Sequence, residues 1–214
     1  MTFWNKEIEE NKKNKNIINE LKEEINNLKK EIIDIKEWIQ YRIKSNIIKD
    51  KKEYEFIENR LKLTGNKGEI RYKWLYRATK DGDKAKTFHE KCDSIKGTLS
   101  LVKTTDNYKF GGYTEALWSG NGFKADEKAF CFSLNLNKIY NVAVKEHAIY
   151  SNNNDGPRFA NTLFGIRDNS FQKGGWCSYT CDTDYGKIDK EREITGGKPN
   201  FEVSEIEVFQ IIFK

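Results

Sequence analysis

No run of about 18 apolar residues occurs in this 214-residue sequence, so hydropathy offers no membrane-spanning helix. No charged-then-apolar leader opens it either, and a cytoplasmic chain is expected. Cysteine is scarce, at positions 92, 131, 177 and 181, and in a reducing compartment these four need not pair. A block of one-signed charge is also missing. The net charge of +5 divides into ten basic and nine acidic residues over 1–44, and 28 and 24 over the rest, with signs interspersed. Nucleic-acid binders concentrate cations on one face, because each neutralised phosphate releases counterions; here Lys12, Lys13 and Lys15, or Lys49, Lys51 and Lys52, read as solvated faces and no nucleic-acid partner is expected. Glycine and proline are absent from residues 1–44, where Phe3, Trp4, Trp38 and Tyr41 are the only aromatics. Beyond that point glycines and aromatics become frequent, so the average composition joins a polar N-terminal part (1–44) to a more apolar domain (45–214).

Residues 1–16 have no sustained period and read as a frayed lead-in. From Ile18 the pattern tightens. Ile18, Leu21, Ile25, Leu28, Ile32, Ile35 and Ile39 alternate spacings of three and four, a heptad seam narrower than the face of a helix packed on its own domain. With Ile18 at a, every a position is Ile and the d positions are Leu, Leu and Ile. That composition favours two parallel strands, although Ile at d leaves a trimer open. Glu24 and Glu31 fall at g, Lys29 and Lys36 at e, so parallel partners oppose unlike charges and antiparallel ones like charges. Each exposed pair contributes at most ~0.5 kcal/mol, enough to choose orientation. The expectation is a parallel homodimer through residues 18–39; a single helix folded onto its own domain is the alternative.

The seam ends at Arg42, the next d position. Asp50 and Glu53 then have capping-box spacing ahead of Tyr54, Ile57 and Leu61, which predicts a second helix running to Gly65. Leu75–Thr79 reads as a strand stopping at Asp81-Gly82, and Asp83 as the cap of a helix through Cys92. Thr98–Lys103 and Lys109–Thr114 flank Asp106-Asn107 as a hairpin. Gly111-Gly112 within the second of these marks a bulge or another backbone passing close by. Ser119–Lys128 and Ser151–Pro157 read as loops. Further strands are expected at 130–134, 139–144, 148–150, 163–166, 176–180 and 203–213. Many short strands between Gly, Asn and Asp clusters, with few helices, imply an α+β fold: a β-sandwich of two antiparallel sheets with flanking short helices, preceded by the coiled-coil helix. The last strand should be buried on both faces, with Ile206, Val208 and Ile212 on one and Phe209, Ile211 and Phe213 on the other.

Candidate chemistry is thin. His89 and Cys92 are three apart on a helix, the minimum for a thiolate with a base, but no acidic residue is evidently placed to orient the imidazole, and Cys92 shares a face with Phe88. Cys177 and Cys181, with His147 far away, suggest a metal site. On a strand, however, their side chains would stand ~13 Å apart, too far for one zinc ion. Gly120-Asn121-Gly122-Phe123-Lys124-Ala125 matches a loosened dinucleotide fingerprint without room for the helix that holds the pyrophosphate. The acidic positions Asp182, Asp184, Asp189, Glu191 and Glu193 lack EF-hand spacing and alternate with cations. Glu205 and Glu207 interrupt an apolar strand on one face. Either they meet solvent near a sheet end, or they pair with a cation such as Arg77 and fix the register. No catalytic set, cofactor or metal is expected.

Five segments in order, 75–82 (Leu-Tyr-Arg-Ala-Thr-Lys-Asp-Gly), 88–93, 96–103, 110–114 (Phe-Gly-Gly-Tyr-Thr) and 201–209, together resemble the TLDc domain. That is the domain of the oxidation-resistance proteins and of many protist proteins in which it follows a coiled coil. The resemblance covers roughly 45–214 and implies a β-sandwich flanked by short helices. It places family-motif positions at Arg77, Asp81, Gly82, Phe110, Gly111, Gly112, Tyr113, Glu205 and Glu207, mostly as fold-building residues. It also implies a non-enzymatic protein-interaction role in oxidative-stress protection or in regulating the vacuolar proton ATPase through its V1 subunits. Many protist members carry a Gly-rich run after Gly-Pro-x-Phe, whereas Gly156-Pro157-Arg158-Phe159 here precedes Ala160-Asn161-Thr162. The alternatives from other classes are a thiol-dependent enzyme acting on peroxides through Cys92 and a lectin-like sandwich binding ligand with the 151–155 loop.

Overall fold

The computed structural model describes residues 3–41, 44–65, 68–160, 163–177, 182–187 and 189–214. The chain forms two compact units, Met1–Arg42 and Ile43–Lys214.

The first unit is one helix, α1 (Phe3–Tyr41). It begins well before the seam, so the lead-in is helical rather than frayed. With no Gly or Pro, and with Lys and Glu abundant, nothing in residues 3–17 stops a helix from propagating. Ile18, Leu21, Ile25, Leu28 and Ile32 are each about half exposed, at 49–51%. The side chains of Ile35 and Ile39 lie outside the described residues.

In the second unit, α2 (Lys51–Lys62) starts where Asp50 Oδ1 accepts the Glu53 amide at 2.9 Å, while the Glu53 carboxylate takes the Lys49 amide at 3.1 Å. β1 (Ile70–Arg77) is longer and earlier than the expected Leu75–Thr79, since residues 78 and 79 turn into α3 (Ala78–Asp81). Asp81 Oδ2 accepts the Arg77 amide at 2.8 Å and so closes that turn. α4 (Ala85–Cys92) is not capped by Asp83. Gly82, at φ +97°, swings Asp83 away, and Asp168 Oδ1 takes the Ala85 amide at 2.9 Å instead. Asp83 in turn accepts the Phe171 amide at 2.8 Å and so caps α5 (Ser170–Lys173).

β2 (Thr98–Thr104) and β3 (Lys109–Thr114) make the expected hairpin. β4 (Gly122–Lys124) lies inside the stretch read as a loop, and β5 (Phe130–Ser133), β6 (Lys138–Asn141) and β7 (Ile149–Ser151) follow. β8 (Asp155–Phe159) overturns the second loop assignment. Its proline is tolerated because the register with the next strand shifts between Asp155 and Arg158, and a bulge spares the amide that Pro157 lacks. β9 (Phe164–Arg167), β10 (Gly175–Trp176), the small hairpin of β11 (Asp182–Thr183) and β12 (Gly186–Lys187), then β13 (Asn200–Phe201) and β14 (Val203–Phe213) complete the chain. β10 ends at Trp176, ahead of Cys177, and the remainder of the expected strand, residues 178–180, lies outside the described residues.

Among the described residues two six-stranded sheets stack, one ordered β1-β14-β2-β3-β5-β6, the other β13-β10-β9-β8-β7-β4, with antiparallel pairs throughout. β14 lies between β1 and β2 and is buried on both faces, as its sequence predicts. Ile206 and Val208 enter the core between the sheets; Phe209 and Ile211 enter a second core beneath α2, with Ile47, Ile48, Tyr54, Ile57 and Leu61. The first sheet is therefore covered on both sides.

Candidate functional site

The motif positions fall into two groups. Phe110–Tyr113 lie in the middle of β3 and build the cores. Phe110 packs edge-on against Phe164 and Phe201 between the sheets, at 5.1 and 5.2 Å, whereas Tyr113 stacks on Phe130 at 5.5 Å on the helix side. The two glycines form no bulge, for the ladder to β2 is regular. They make room for close neighbours: a Cβ on Gly112 would lie 2.6 Å from the Phe159 ring, and one on Gly111 would lie 2.1 Å from the Ser100 carbonyl oxygen.

Arg77, Asp81, Gly82, Glu205 and Glu207 gather at one end of the first sheet. Arg77 and Glu207 are cross-strand partners in the β1–β14 register. The Glu207 carboxylate is fully buried and accepts from Arg77 Nε at 2.7 Å, from the Asn46 amide at 2.9 Å and from the Ser45 hydroxyl, with Arg77 Nη2 at 2.6 Å completing the ion pair. Ser45 Oγ itself accepts the amides of Ile47 and Ile48. Glu205 takes Thr79 Oγ1 at 2.5 Å, the Thr79 amide at 3.1 Å, the Ile206 amide at 3.0 Å and Asn46 Nδ2 at 3.3 Å. Asp81 holds Lys91 at 3.2 Å, and the Gly82 carbonyl accepts the Tyr76 hydroxyl at 2.9 Å. Arg77 also donates to the Lys44 carbonyl and lies 4.3 Å over the Trp74 ring, which Lys80 shares.

Both carboxylates are thus saturated by protein donors. Chemically they are anchors: they tie the segment at Ser45-Asn46, where the chain enters the domain, to the strand that ends it. Of the two readings left open for Glu205 and Glu207, pairing is the one the geometry realises for Glu207. Ser45, Asn46, Thr79 and Trp74 were not anticipated. A polar Ser-Asn pair directly ahead of Ile47-Ile48 was the available signal.

The absence of an acid beside His89 is corrected. Asp93 Oδ1 lies 2.6 Å from His89 Nδ1, one helical turn on, and Nε2 lies 3.0 Å from the carbonyl oxygens of both Asn152 and Asp155. Each ring nitrogen therefore faces an oxygen rather than the Cys92 thiol: Nδ1 that of Asp93, the residue that ends α4, and Nε2 those of the 152–155 turn, which it joins to the helix. Cys92 is fully buried, and loss of hydration pushes its thiol well above the ordinary range, as burial does for Cys131. Such thiols are poor nucleophiles near neutral pH.

Cys177 is buried, and Cys181 lies outside the described residues; among those described, no three His, Cys, Asp or Glu side chains gather as a metal site. Gly122–Lys124 of the glycine fingerprint pairs with β7 as a strand. Among the acidic loop residues, Asp189 meets Lys138 at 2.6 Å, Glu193 also meets Lys138, Glu191 lies 3.4 Å from Arg192, and Asp184 lies 3.3 Å from His147 Nδ1. None of the described helices is long and apolar enough to cross a membrane.

This architecture defines an antiparallel two-sheet domain of α+β class, braced at its entry point by buried carboxylates. Compared with known families, residues 42–212 match the model of the TLDc domain, and the chain belongs to that family. A comparison with curated proteins gives no match.

Proposed function

We propose that this protein is a non-enzymatic interaction module, held as a parallel pair by α1, that acts in oxidative-stress protection or in regulating the vacuolar proton ATPase through V1. The observation that carries the reading is membership of the TLDc family over residues 42–212, a family tied to those two roles. The site geometry supports it. The buried acids are saturated, His89 is consumed by structure, and Cys92 is held protonated, so the residues best suited to chemistry are committed to the fold. The half-exposed seam from Ile18 to Ile32 supports pairing, because apolar side chains spaced every 3.5 residues are covered efficiently by a second identical helix.

Affinity capture with the full chain from lysate, read for V1 subunits, tests the partner. Recovery of V1 is the expected result, and capture without any V1 subunit would remove that partner. Sedimentation equilibrium at tens of micromolar tests the pairing; a monomer throughout would end it.

A further inference from the structure

Because α1 is continuous from Phe3, its heptad register runs back past the point where the apolar seam begins. With Ile18 at a, the preceding heptad places Asn11 at a, Asn14 at d, Glu10 at g and Lys15 at e. All four side chains are exposed on the single chain. The seam therefore does not end at Ile18 but changes character there, from apolar to amide.

Two observations tie this heptad to the seam rather than to a solvated lead-in. Glu10 and Lys15 repeat the g and e placement of Glu24 and Lys29, so a second parallel copy opposes unlike charges at both levels, two heptads apart. The asparagines are the second. Asn11 and Asn14 take both seam positions of their heptad, whereas Asn16, Asn19, Asn26 and Asn27 fall at f, b, b and c, on the outward side. Asparagine is a weak helix former, and among the described residues neither Asn11 nor Asn14 gains a side-chain hydrogen bond within its own chain in return. Across a seam the return is available.

An amide carries both donor and acceptor, so two asparagines facing each other at one a level can satisfy one another. Slipping one helix by a heptad would set Asn11 against Ile18 and bury an amide with no partner. A third strand leaves an amide over for the same reason. A polar a position thus selects register and strand number at some cost in stability, while Ile18, Leu21, Ile25 and Leu28 supply the cohesion. The next seam position back is Glu7 at d, which would bring two carboxylates together, so the pairing stops short of it.

We propose that Asn11 and Asn14 form the polar layer that makes α1 a two-stranded, in-register coil with a second copy of this chain, one heptad longer than its apolar seam and reaching back to Glu10. The assignment rests on the pairing reading above and excludes the trimer that Ile at d left open.

Sedimentation equilibrium of the full chain and of Asn11→Ile tests it, with Asn16→Ile as the outward-facing comparison. The native chain should be a dimer. Asn11→Ile should associate at least tenfold more tightly and add a trimer to the dimer; Asn16→Ile should match the native chain. Oxidised glutathione should link Asn14→Cys chains in pairs, since seam positions in register bring Cβ atoms within disulfide reach, and should leave Asn16→Cys at the level of the native chain, whose described cysteines are buried. A native trimer, an Asn11→Ile chain that remains purely dimeric, or Asn14→Cys linking no better than Asn16→Cys overturns the polar-layer assignment while leaving association through α1 intact. A native monomer at every concentration removes the pairing itself.

Discussion

Replacing Glu207 by Gln keeps the shape of the buried anchor and deletes its charge. Gln can still accept from Arg77 and the Asn46 amide, but its NH₂ group must face Ser45 Oγ, which already accepts the Ile47 and Ile48 amides at 2.9 Å each and needs an acceptor for its own proton. Arg77, whose side chain is 15% exposed, is left without its counter-charge. Removing one partner of a buried pair typically costs about 3–5 kcal/mol. Here the Trp74 ring and the Lys44 carbonyl still support the guanidinium, which places the expected loss near the lower end, about 3 kcal/mol. For a domain of this size that corresponds to a Tm lower by roughly 6–12 °C. Urea unfolding followed by tryptophan fluorescence measures it directly, with an unchanged m-value expected. A cycle with Arg77→Gln should show coupling of about 2 kcal/mol or more, since the two side chains touch. A loss under about 1 kcal/mol, or additive single effects, would refute the view that this pair anchors the entry segment.

Three further outcomes follow from the same structure. Native Cys92 and Cys131 should resist a thiol reagent at pH 8 and react once the chain is unfolded; rapid labelling of the native state would contradict their burial. Alkaline pH should destabilise the domain. Burial raises the pKa of both thiols and of Tyr54, Tyr72, Tyr76, Tyr113, Tyr140 and Tyr185, with Tyr54 pushed up to about 12. The native state then retains protons that the unfolded chain releases from about pH 9 upward, so stability is full below that pH and declines above it; urea midpoints from pH 7 to 11 test this, and a flat profile would refute it. In α1, Leu28→Lys places a charge in the seam and should convert the pair to monomer in sedimentation, leaving the domain's unfolding midpoint unchanged.

The sequence made some of this legible and hid the rest for physical reasons. β14 could be read to the residue because an eleven-residue apolar strand with alternating faces has few other ways to fold. Arg77 and Glu207 were readable because a carboxylate in such a strand needs a cation. The cap of α4 was not: its donor of stability, Asp168, is 83 positions away, and the nearby Asp83 looked adequate until Gly82 turned it aside. β8 was hidden by Gly156-Pro157, whose turn chemistry outweighs a bulged strand in any local reading. β4 is a three-residue edge strand, too short for a period to show. The helix before Ile18 was missed because propensity without amphipathicity leaves no periodic trace. The polar layer at Asn11 and Asn14 was hidden with it, since a polar seam position has meaning only once the helix is known to reach it.

Calorimetric titration of purified V1 with the full chain bears most directly on the claim that this domain acts through its surface. Saturable heat that persists unchanged in Cys92→Ser is the expected result. No heat of binding, or activity that appears only with an intact Cys92 and hydrogen peroxide, would contradict it.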